Sequence, residues 1–428
     1  MGSGKDGGFR GLVAALRSWR TASVVLLSFS SGLPLGLVWI AIPDWMRSIG
    51  VDIRLVGLIT LAQAPWSLKV LWAPLLDRYA PPWLGRRRGW MAVTQVALLV
   101  LGLALAGVGA HPQTPYVVGA LALAIAFAAA TQDIVIDAYA VDVLRPDEQG
   151  LAVGARTALY RAAMFVAGGA SITLAGRFSW PVVNVGLALL YLPMLYISWR
   201  APEPPQLLGR PTTLAEAVWQ PLRGLFARPR AIEILAFVVC YKLADNLAGA
   251  LIRPFLVDMG YSDTDRGVAL ATIGLAATLV GTFLGGLVTT AIGLGHSLWA
   301  FGFLQVFSNL GYVLLASSPV NRLLMYGATG FESFTSGLGT GAFAVLLLRL
   351  TEKRFSATQY ALLTSLFGLP RLISGPLCGF LVAAFGWSTF FWITIAAGVP
   401  GLVLLSRFVP LGAREPTIGV EAPLDDEV

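Results

Sequence analysis

The sequence contains few of the side chains on which catalysis, metal binding and disulfide scaffolds depend. Its 428 residues include only two histidines and two cysteines, and 12% of them are charged. We expect His111 and His296 in connections, where neither builds a metal site, and Cys240 and Cys378 packed within apolar helices rather than disulfide-bonded. The patterns of nucleophile elbows, zinc proteases and phosphate-binding loops are also missing. The chain is therefore predicted not to be an enzyme, not to consume ATP and to need no cofactor.

The abundant residues are apolar, and they occur in long runs. Hydrophobic residues make up 56% of the chain and the mean hydropathy is +0.73, whereas soluble domains are about half apolar and a quarter charged. Each run is close to the ~20 residues that a helix needs to cross a bilayer. We predict an all-α integral membrane protein with twelve transmembrane helices. Their expected positions are 22–46, 54–76, 90–110, 115–141, 150–175, 180–199, 231–257, 267–290, 297–317, 323–349, 357–384 and 387–408.

The distribution of lysine and arginine predicts the orientation of these spans. Nineteen of these residues fall in the two tails and the even-numbered connections, and five fall in the odd-numbered connections. Because lysine and arginine are enriched on the cytoplasmic side of membrane proteins, both termini are expected in the cytoplasm. The net charge of +7 is explained by this bias, so no nucleic-acid partner is inferred.

The two halves of the chain repeat one another. When the first half is shifted by 210 positions, Gln149 falls on Gln359, Arg161 falls on Arg371, and several glycines coincide. Two parallel six-helix bundles, pseudo-symmetric and with the substrate site between them, are the internal symmetry of major facilitator proteins, and that fold is predicted here. The predicted regions are an N-terminal bundle, 1–199, a cytoplasmic linker, 200–230, with a short amphipathic helix around Leu214–Phe226, and a C-terminal bundle, 231–428.

Charged side chains inside the predicted spans are candidates for function, because each is costly in a bilayer unless it is paired or hydrated. Asp133 and Asp137 share one face of span four, with Lys69 on span two and Arg156 on span five at comparable depth. One interpretation is a buried ion network that joins the three spans. The other is that one acid loses its partner and takes up a proton, which burial favours. Glu332 on span ten is a further candidate for proton coupling.

A cation near the middle of each half suggests a site for an anion. Arg161 and Arg371 occupy equivalent positions in the two halves, and a guanidinium group binds carboxylate or phosphate bidentately. The alternative is a structural role for each arginine, at a helix end or beside an acid. Lys242 reaches a similar depth as a candidate for substrate binding. Asp245 lies three residues from it, so mutual neutralisation of this pair is the alternative interpretation.

The connection between spans two and three has the form of a gating loop. Its charged residues are Asp77, Arg78, Arg86, Arg87 and Arg88. The loop resembles one that latches the two halves of major facilitator proteins in the outward-open state, with three residues inserted between its acidic part and its basic part. The alternative is that these arginines only determine the topology of the chain.

Longer strings of residues are similar to the AmpG family of muropeptide permeases. The sequence S-L-K at 67–69, leading to W-A-P, and the sequence T-Q-D at 131–133 are shared by this family and the acetyl-CoA transporters. The strings F-S-A-T-Q-Y-A-L-L at 355–363 and G-W-S-T-F-F at 386–391 are similar to AmpG and distinguish the two groups. This resemblance implies import of N-acetylglucosaminyl-1,6-anhydro-N-acetylmuramyl peptides from periplasm to cytoplasm across the bacterial inner membrane, by proton symport and alternating access. It assigns transport to Gln132 and Asp133.

This cargo suits the candidate residues. Its peptide carboxylates would pair with Arg161, Arg371 and Lys242, and its sugar rings would stack on aromatic side chains. The aromatic candidates are Trp66, Tyr139 and Tyr160.

Because the best-known AmpG permeases carry two additional helices, another anionic solute, such as a siderophore or an acyl-CoA, is an alternative cargo. A channel or membrane scaffold is the alternative from another class, which charges clustered at mid-depth in both halves disfavour. The expected partners are the cargo, protons and the lipid bilayer, with the chain a monomer.

Overall fold

The computed structural model describes residues 18–51, 59–108, 114–204, 213–228 and 230–416. Within these ranges the chain is almost entirely helical and contains no strand. Ten of its helices are long and apolar enough to cross a membrane, in agreement with the predicted all-α membrane fold. The number of twelve spans and the cytoplasmic location of both termini stay predictions, because the ends of the chain and part of the second predicted span lie outside the described residues.

The helices follow one another through short connections. Those of the first half are α1 (Trp19–Met46), α2 (60–78), α3 (Arg86–Ala106), α4 (Thr114–Val143), α5 (Pro146–Phe178) and α6 (Trp180–Arg200). A linker helix follows at Leu214–Phe226. Those of the second half are α7 (Ala231–Asp258), α8 (Asp265–Ile292), α9 (Leu294–Ala316), α10 (Arg322–Leu350) and Ser356–Phe408, whose two arms we number α11 (356–385) and α12 (387–408). The predicted division at 1–199, 200–230 and 231–428 stays a prediction.

Proline and glycine explain two departures from regular helices. The sequence predicts one continuous span at 54–76, but α2 consists of short segments, and two of them, Ala64–Leu68 and Ala73–Arg78, have a proline in their first turn. Proline has no N–H to donate and is tolerated at the start of a helix. Gly386 has a φ of 74°, a left-handed conformation that favours glycine. The bend between α11 and α12 is therefore made at this residue.

Three buried apolar clusters show how the two halves are arranged. One cluster contains residues of both halves, for example Ile134 and Val153 of the first and Phe343 and Leu346 of the second. The other two clusters each belong to a single half, one within the first and one within the second. The halves therefore share a core at one end and have separate cores at the other. We call the shared end, which contains the α2–α3, α4–α5 and α10–α11 connections, the gate end.

Glycines bring α5 and α8 into contact at the gate end. A Cβ atom built on Gly154 would lie 2.7 Å from the carbonyl oxygen of Phe283, and one built on Gly150 would clash with the carbonyl oxygen of Gly286. Real Cβ atoms do not approach backbone atoms so closely, so residues without a side chain are required here. The two halves are packed backbone against backbone where α5 crosses α8.

Candidate functional site

The carboxylate of Asp137 is held by two cations from neighbouring helices. It lies 3.6 Å from Lys69 Nζ of α2 and forms an ion pair with Arg156 of α5. The three side chains are between 12% and 15% exposed. A buried charge is stable only when it is paired in this way. The structure thus contains an ion network that joins α2, α4 and α5, and its formal charge is +1.

Asp133, one helical turn before Asp137, has a different environment. Its carboxylate is 8% exposed and accepts a hydrogen bond from the indole N–H of Trp66, 3.0 Å away. Within the described part of the chain, no lysine or arginine lies within ion-pair distance of it. Trp66 in turn packs edge to face against Trp39 of α1, with ring centroids 6.2 Å apart. The two acids share a helix face, but one is bound to cations and the other to a neutral donor.

Two other candidates on α4 point into the packed core. The side chain of Gln132 is fully buried, and its Nε2 donates to Ser30 Oγ of α1 over 2.8 Å. The ring of Tyr139 is also fully buried, and its hydroxyl lies 3.1 Å from Ser23 Oγ. Neither side chain is open to a cargo in this conformation. The ring of Tyr139, expected to stack on a sugar, is therefore covered by α1 in this conformation. The sequence alone does not show which face of α4 packs against that helix.

In the second half, Lys242 lies at the centre of a buried polar cluster formed by α7, α9 and α10. Its ammonium group donates to Asp245 Oδ2 and Gln305 Oε1, each 2.5 Å away, and to the carbonyl oxygen of Ser336, 2.8 Å away. An ammonium group has three donors, and these three acceptors account for them. In this conformation Lys242 is therefore paired with Asp245 and its donors are engaged, while its part in binding a cargo stays a prediction.

Glu332 is held in the same way as Asp133. Its carboxylate accepts hydrogen bonds from the hydroxyl groups of Tyr312, 3.2 Å away, and Ser333, 3.4 Å away. No lysine or arginine among the described residues forms an ion pair with it. Among the candidate acids that the structure describes, each half therefore has one bound to a cation, Asp137 or Asp245, and one with neutral partners, Asp133 or Glu332.

Of the two arginines at equivalent positions, only Arg161 has a described side chain. It is exposed, and its guanidinium contacts Met164 Sδ at 3.9 Å. None of the acids in the described ranges lies within ion-pair distance of it. Tyr160, the neighbouring candidate, is partly buried. The side chain of Arg371 lies outside the described residues, so its expected position opposite Arg161 stays a prediction.

Asp77 connects the two halves at the gate end. Its fully buried carboxylate accepts hydrogen bonds from the backbone N–H groups of Thr358 (2.8 Å) and Ala357 (3.3 Å) and from the Thr358 hydroxyl (2.8 Å). These groups belong to the start of α11, where the first N–H groups lack partners within the helix and carry a partial positive charge. An acid of the first half therefore caps a helix of the second.

Arg87 completes this latch. Its fully buried guanidinium donates to Asp77 Oδ1 (3.0 Å), Asp142 Oδ2 (2.7 Å) and Ser356 Oγ (2.5 Å). Arg86 adds ion pairs of 3.9 Å to Asp77 and 3.5 Å to Asp142. Two cations and two acids thus balance in charge, which buried ionic groups require. We call Asp77, Arg86, Arg87 and the start of α11 the latch.

The other two arginines of the gating loop lie outside the latch. Arg78 lies 5.3 Å from the ring centroid of Tyr79. Arg88 Nε lies 3.3 Å from Glu203 Oε2, just beyond the end of α6. The five charged residues of the loop therefore divide into one acid and two arginines at the latch and two arginines that make contacts within the first half.

A second contact between the halves lies beside the latch. Arg349 of α10 donates from Nε to Gln149 Oε1 of α5 over 3.1 Å and from Nη2 to the carbonyl oxygen of Pro146 over 3.5 Å. In the ranges that the structure describes, every hydrogen bond between the halves belongs to this contact or to the latch. The protein is therefore closed at the gate end. Sequence reasoning missed the hydroxyl and amide groups at the start of α11, since uncharged donors leave no recognisable pattern.

Fold and site together define the class of protein. The sequence profile of the Major Facilitator Superfamily matches residues 24–375, and the chain belongs to this superfamily of transporters. The structure of the proton:xylose symporter XylE has a TM-score of 0.67 at 13% identity, covering 91% of this chain and 96% of that one. A bacterial homologue of the iron transporter ferroportin, in its outward-facing state, has a TM-score of 0.66 at 15% identity, covering 90% and 98%. At these identities the likeness concerns the fold alone.

Within the superfamily, the chain belongs to the AmpG permeases. It is 41% identical over 388 residues to the anhydromuropeptide permease of Escherichia coli (strain K12), an alignment that covers 90% of this chain and 79% of the relative. It is 28% identical to the putative transporter AmpG 4 of Rickettsia felis, with 91% and 96% covered. The resemblance found in the sequence is thus confirmed. The protein is a multi-pass transporter of the bacterial inner membrane and not an enzyme.

Proposed function

We propose that the chain imports anhydro-muropeptides, N-acetylglucosaminyl-1,6-anhydro-N-acetylmuramyl peptides, from the periplasm into the cytoplasm by proton symport and alternating access. The observation that carries the choice of cargo is the 41% identity, over 90% of this chain, to a protein named anhydromuropeptide permease. A siderophore or an acyl-CoA, the alternative cargoes, would be anions as well, so the arguments about charge below apply to them equally.

The arrangement of acids and cations in the first half supports proton coupling through Asp133. The network of Lys69, Arg156 and Asp137 has a formal charge of +1, and the deprotonated Asp133 carboxylate one turn away cancels it. Protonation of Asp133 would leave a net positive cluster in a medium of low dielectric constant, where it attracts a peptide carboxylate strongly. Binding of the proton and of the anionic cargo would therefore favour one another, which is the reciprocity that symport requires.

The latch supports an outward-facing resting state. It closes the gate end, where the excess of lysine and arginine predicts the cytoplasm, while the hydrogen bonds between described residues of the two halves are confined to that end. For the cargo to reach the cytoplasm, Asp77 and Arg87 would have to release the start of α11. The cargo and the proton, bound at mid-depth, would therefore have to bind more tightly to the released state than to the latched state.

Other candidates would contact the cargo directly. Arg161 is exposed and has no acidic partner among the described residues, so its guanidinium is available for a second peptide carboxylate. Trp66 lies between Asp133 and the 40% exposed Trp39, and this aromatic pair is suited to a sugar ring. Glu332 is the second candidate for a proton, since its hydrogen-bond partners are neutral.

Uptake into proteoliposomes tests the proposal. Vesicles that contain the full chain are given labelled anhydro-muropeptide, either with an acidic exterior or without a proton gradient. We expect accumulation only with the gradient, and its loss when a protonophore is added. If the folded wild-type protein accumulates no anhydro-muropeptide under either condition, the proposed cargo is wrong, and a siderophore is then tested in the same vesicles.

A matched pair of variants tests the coupling residue. Asp133→Asn should abolish gradient-dependent accumulation, because an amide cannot take up the proton. Asp258→Asn is the control, since Asp258 also accepts an indole hydrogen bond, from Trp387 at 3.0 Å, but lies at the end of α7 away from the latch. Accumulation by Asp133→Asn at the wild-type level would exclude Asp133 as the coupling group.

A further inference from the structure

A recess of about 550 Å³ opens on the outside of the first half, at the gate end. The starts of α1 and α3 and the end of α6 surround it. Its lining residues are Trp19, Arg88, Tyr196, Trp199 and Arg200. The carbonyl groups of α6 hold the three helices together here, because Trp19 Nε1 donates to Arg200 O over 3.0 Å and Arg88 Nη1 donates to Trp199 O over 3.1 Å. The recess is separate from the latch and from the ion network of α2, α4 and α5.

Arg200 gives this recess its positive charge. Its side chain is exposed, and its guanidinium carbon lies 5.9 Å from the ring centroid of Trp199. Glu203, the nearest acid along the chain, is engaged elsewhere: it pairs with Arg88 Nε at 3.3 Å and accepts from the backbone N–H groups of Arg87 and Arg88. Among the described residues Arg200 has no ion-pair partner. Its planar group is therefore available for an anion, and guanidinium matches the geometry of phosphate.

The surroundings of the recess are those of a membrane interface. Tyr196 and Trp199 are 60% and 54% exposed, and aromatic residues with a polar edge are enriched at the level of lipid headgroups. An exposed apolar stripe leads from them along α6. Its members are Val182, Val185, Leu189 and Leu192. Their spacing of three and four places them on one helix face, over roughly 15 Å at about 1.5 Å per residue.

We propose that this recess binds the headgroup of an anionic phospholipid, with its phosphate on Arg200 and its acyl chains along the apolar stripe of α6. The phosphate of a lipid headgroup needs a cation, and the acyl chains of the same lipid need an apolar surface that begins beside that cation. The α6 helix supplies both, with Arg200 and the apolar stripe. A zwitterionic lipid binds less well, because its own cation is repelled by Arg200. The inference depends on the membrane location of the chain and not on the identity of its cargo.

Binding of defined lipids to the purified full chain tests this site. Phosphatidylglycerol and phosphatidylcholine are titrated separately, and bound lipid is counted by native mass spectrometry. Wild-type protein should retain phosphatidylglycerol preferentially. Arg200→Gln should weaken that binding about fivefold, the contribution of one basic residue near an anionic membrane surface. Trp199→Leu, which removes the aromatic wall and leaves the charge, should also weaken it.

Arg407→Gln is the matched control. Arg407 is an exposed arginine in the last turn of α12, the helix of the second half that corresponds to α6, and its replacement removes the same charge at the same end of the protein. It should leave binding of phosphatidylglycerol unchanged. Equal effects of the two arginine substitutions, or equal binding of the two lipids to wild-type protein, would overturn the proposal. Displacement of phosphatidylglycerol by millimolar inorganic phosphate would do so as well, since it would show an anion site that does not require a lipid.

Discussion

Removal of one hydroxyl group from the latch should open the gate end measurably. Thr358→Val deletes the hydrogen bond of 2.8 Å from the Thr358 hydroxyl to Asp77 Oδ2 and leaves the backbone hydrogen bond to the same oxygen in place. A hydrogen bond to a charged group contributes about 1.5–3 kcal/mol. Since Asp77 caps α11 only while the halves are closed, this hydrogen bond stabilises the closed state and not the open state. The ratio of open to closed molecules should rise by about 10- to 150-fold.

Distances between two spin labels can measure this ratio. Suitable sites are Asp147 at the start of α5 and Ile292 at the end of α8, which are exposed and lie on the helices that touch at the gate end. The labelled cysteines are introduced into a background in which Cys240 and Cys378 are replaced by alanine. If the wild-type gate end is open in about 1% of molecules, the variant should show a longer distance in roughly 10–60% of them.

The control for this experiment lies on the same helix. Thr364→Val makes the same chemical change two turns further along α11, where the hydroxyl donates to Tyr360 O (2.9 Å) and Ala361 O (3.1 Å) of its own helix. It should leave the distance distribution unchanged. If Thr358→Val gives the wild-type distribution, or if both substitutions open the gate end equally, the latch does not hold the halves together as described.

Three further substitutions have expected effects that follow from the contacts above. Asp137→Asn should lower the melting temperature more than Asp133→Asn does, because a buried pair that loses one partner is destabilised by about 3–5 kcal/mol and only Asp137 is paired. Gly154→Val should populate the longer label distance, since its side chain would meet the backbone of α8. Lys242→Met should lower the melting temperature by leaving Asp245 buried without its cation, and replacing Asp245 by asparagine in the same chain should restore part of it.

Each of these predictions has an outcome that contradicts it. Equal melting temperatures for the two aspartate variants would mean that the ion network contributes nothing to stability. Gly176→Val is the control for the glycine substitution, because a Cβ atom on Gly176 has no neighbour within 4 Å, and an equal response of both glycine variants would rule out a specific contact with α8. If the double variant at 242 and 245 melts below Lys242→Met, the two side chains do not act as a pair.

Sequence reasoning identified the fold because the signals for it are local. An apolar run of about 20 residues forms a membrane helix whatever its neighbours are, since the bilayer leaves the backbone no other partner than itself. The bounds of α4 and α10, for example, fall within a few residues of those expected. The break of α2 was not expected. Its prolines at 65 and 74 were visible in the sequence, but a proline in an apolar run fits a continuous kinked span as well as one divided into short segments.

The site could be predicted only in part. Charged residues inside apolar runs were recognised one at a time, because each is unfavourable in a bilayer by itself. Asp133 and Asp137 could not be distinguished in this way, as they share a helix face and differ only in what α2 and α5 bring to them. For Asp77 the sequence indicates a latch, yet its partners at the start of α11, some 280 positions away, are two backbone amides and a threonine hydroxyl, which form no recognisable pattern.

From the sequence alone it follows that this protein is a helical membrane transporter of two similar halves, with charged residues inside several of its apolar runs. Those properties depend on composition, on local spacing and on the cost of placing a charge in an apolar medium. Helix packing in three dimensions determines that Asp137 is paired while Asp133 is not, that Lys242 pairs with Asp245, and that the halves are closed at the gate end. Hydrogen bonds and ion pairs act over about 3 Å between groups from different helices, so these contacts form only once helix packing brings the groups together.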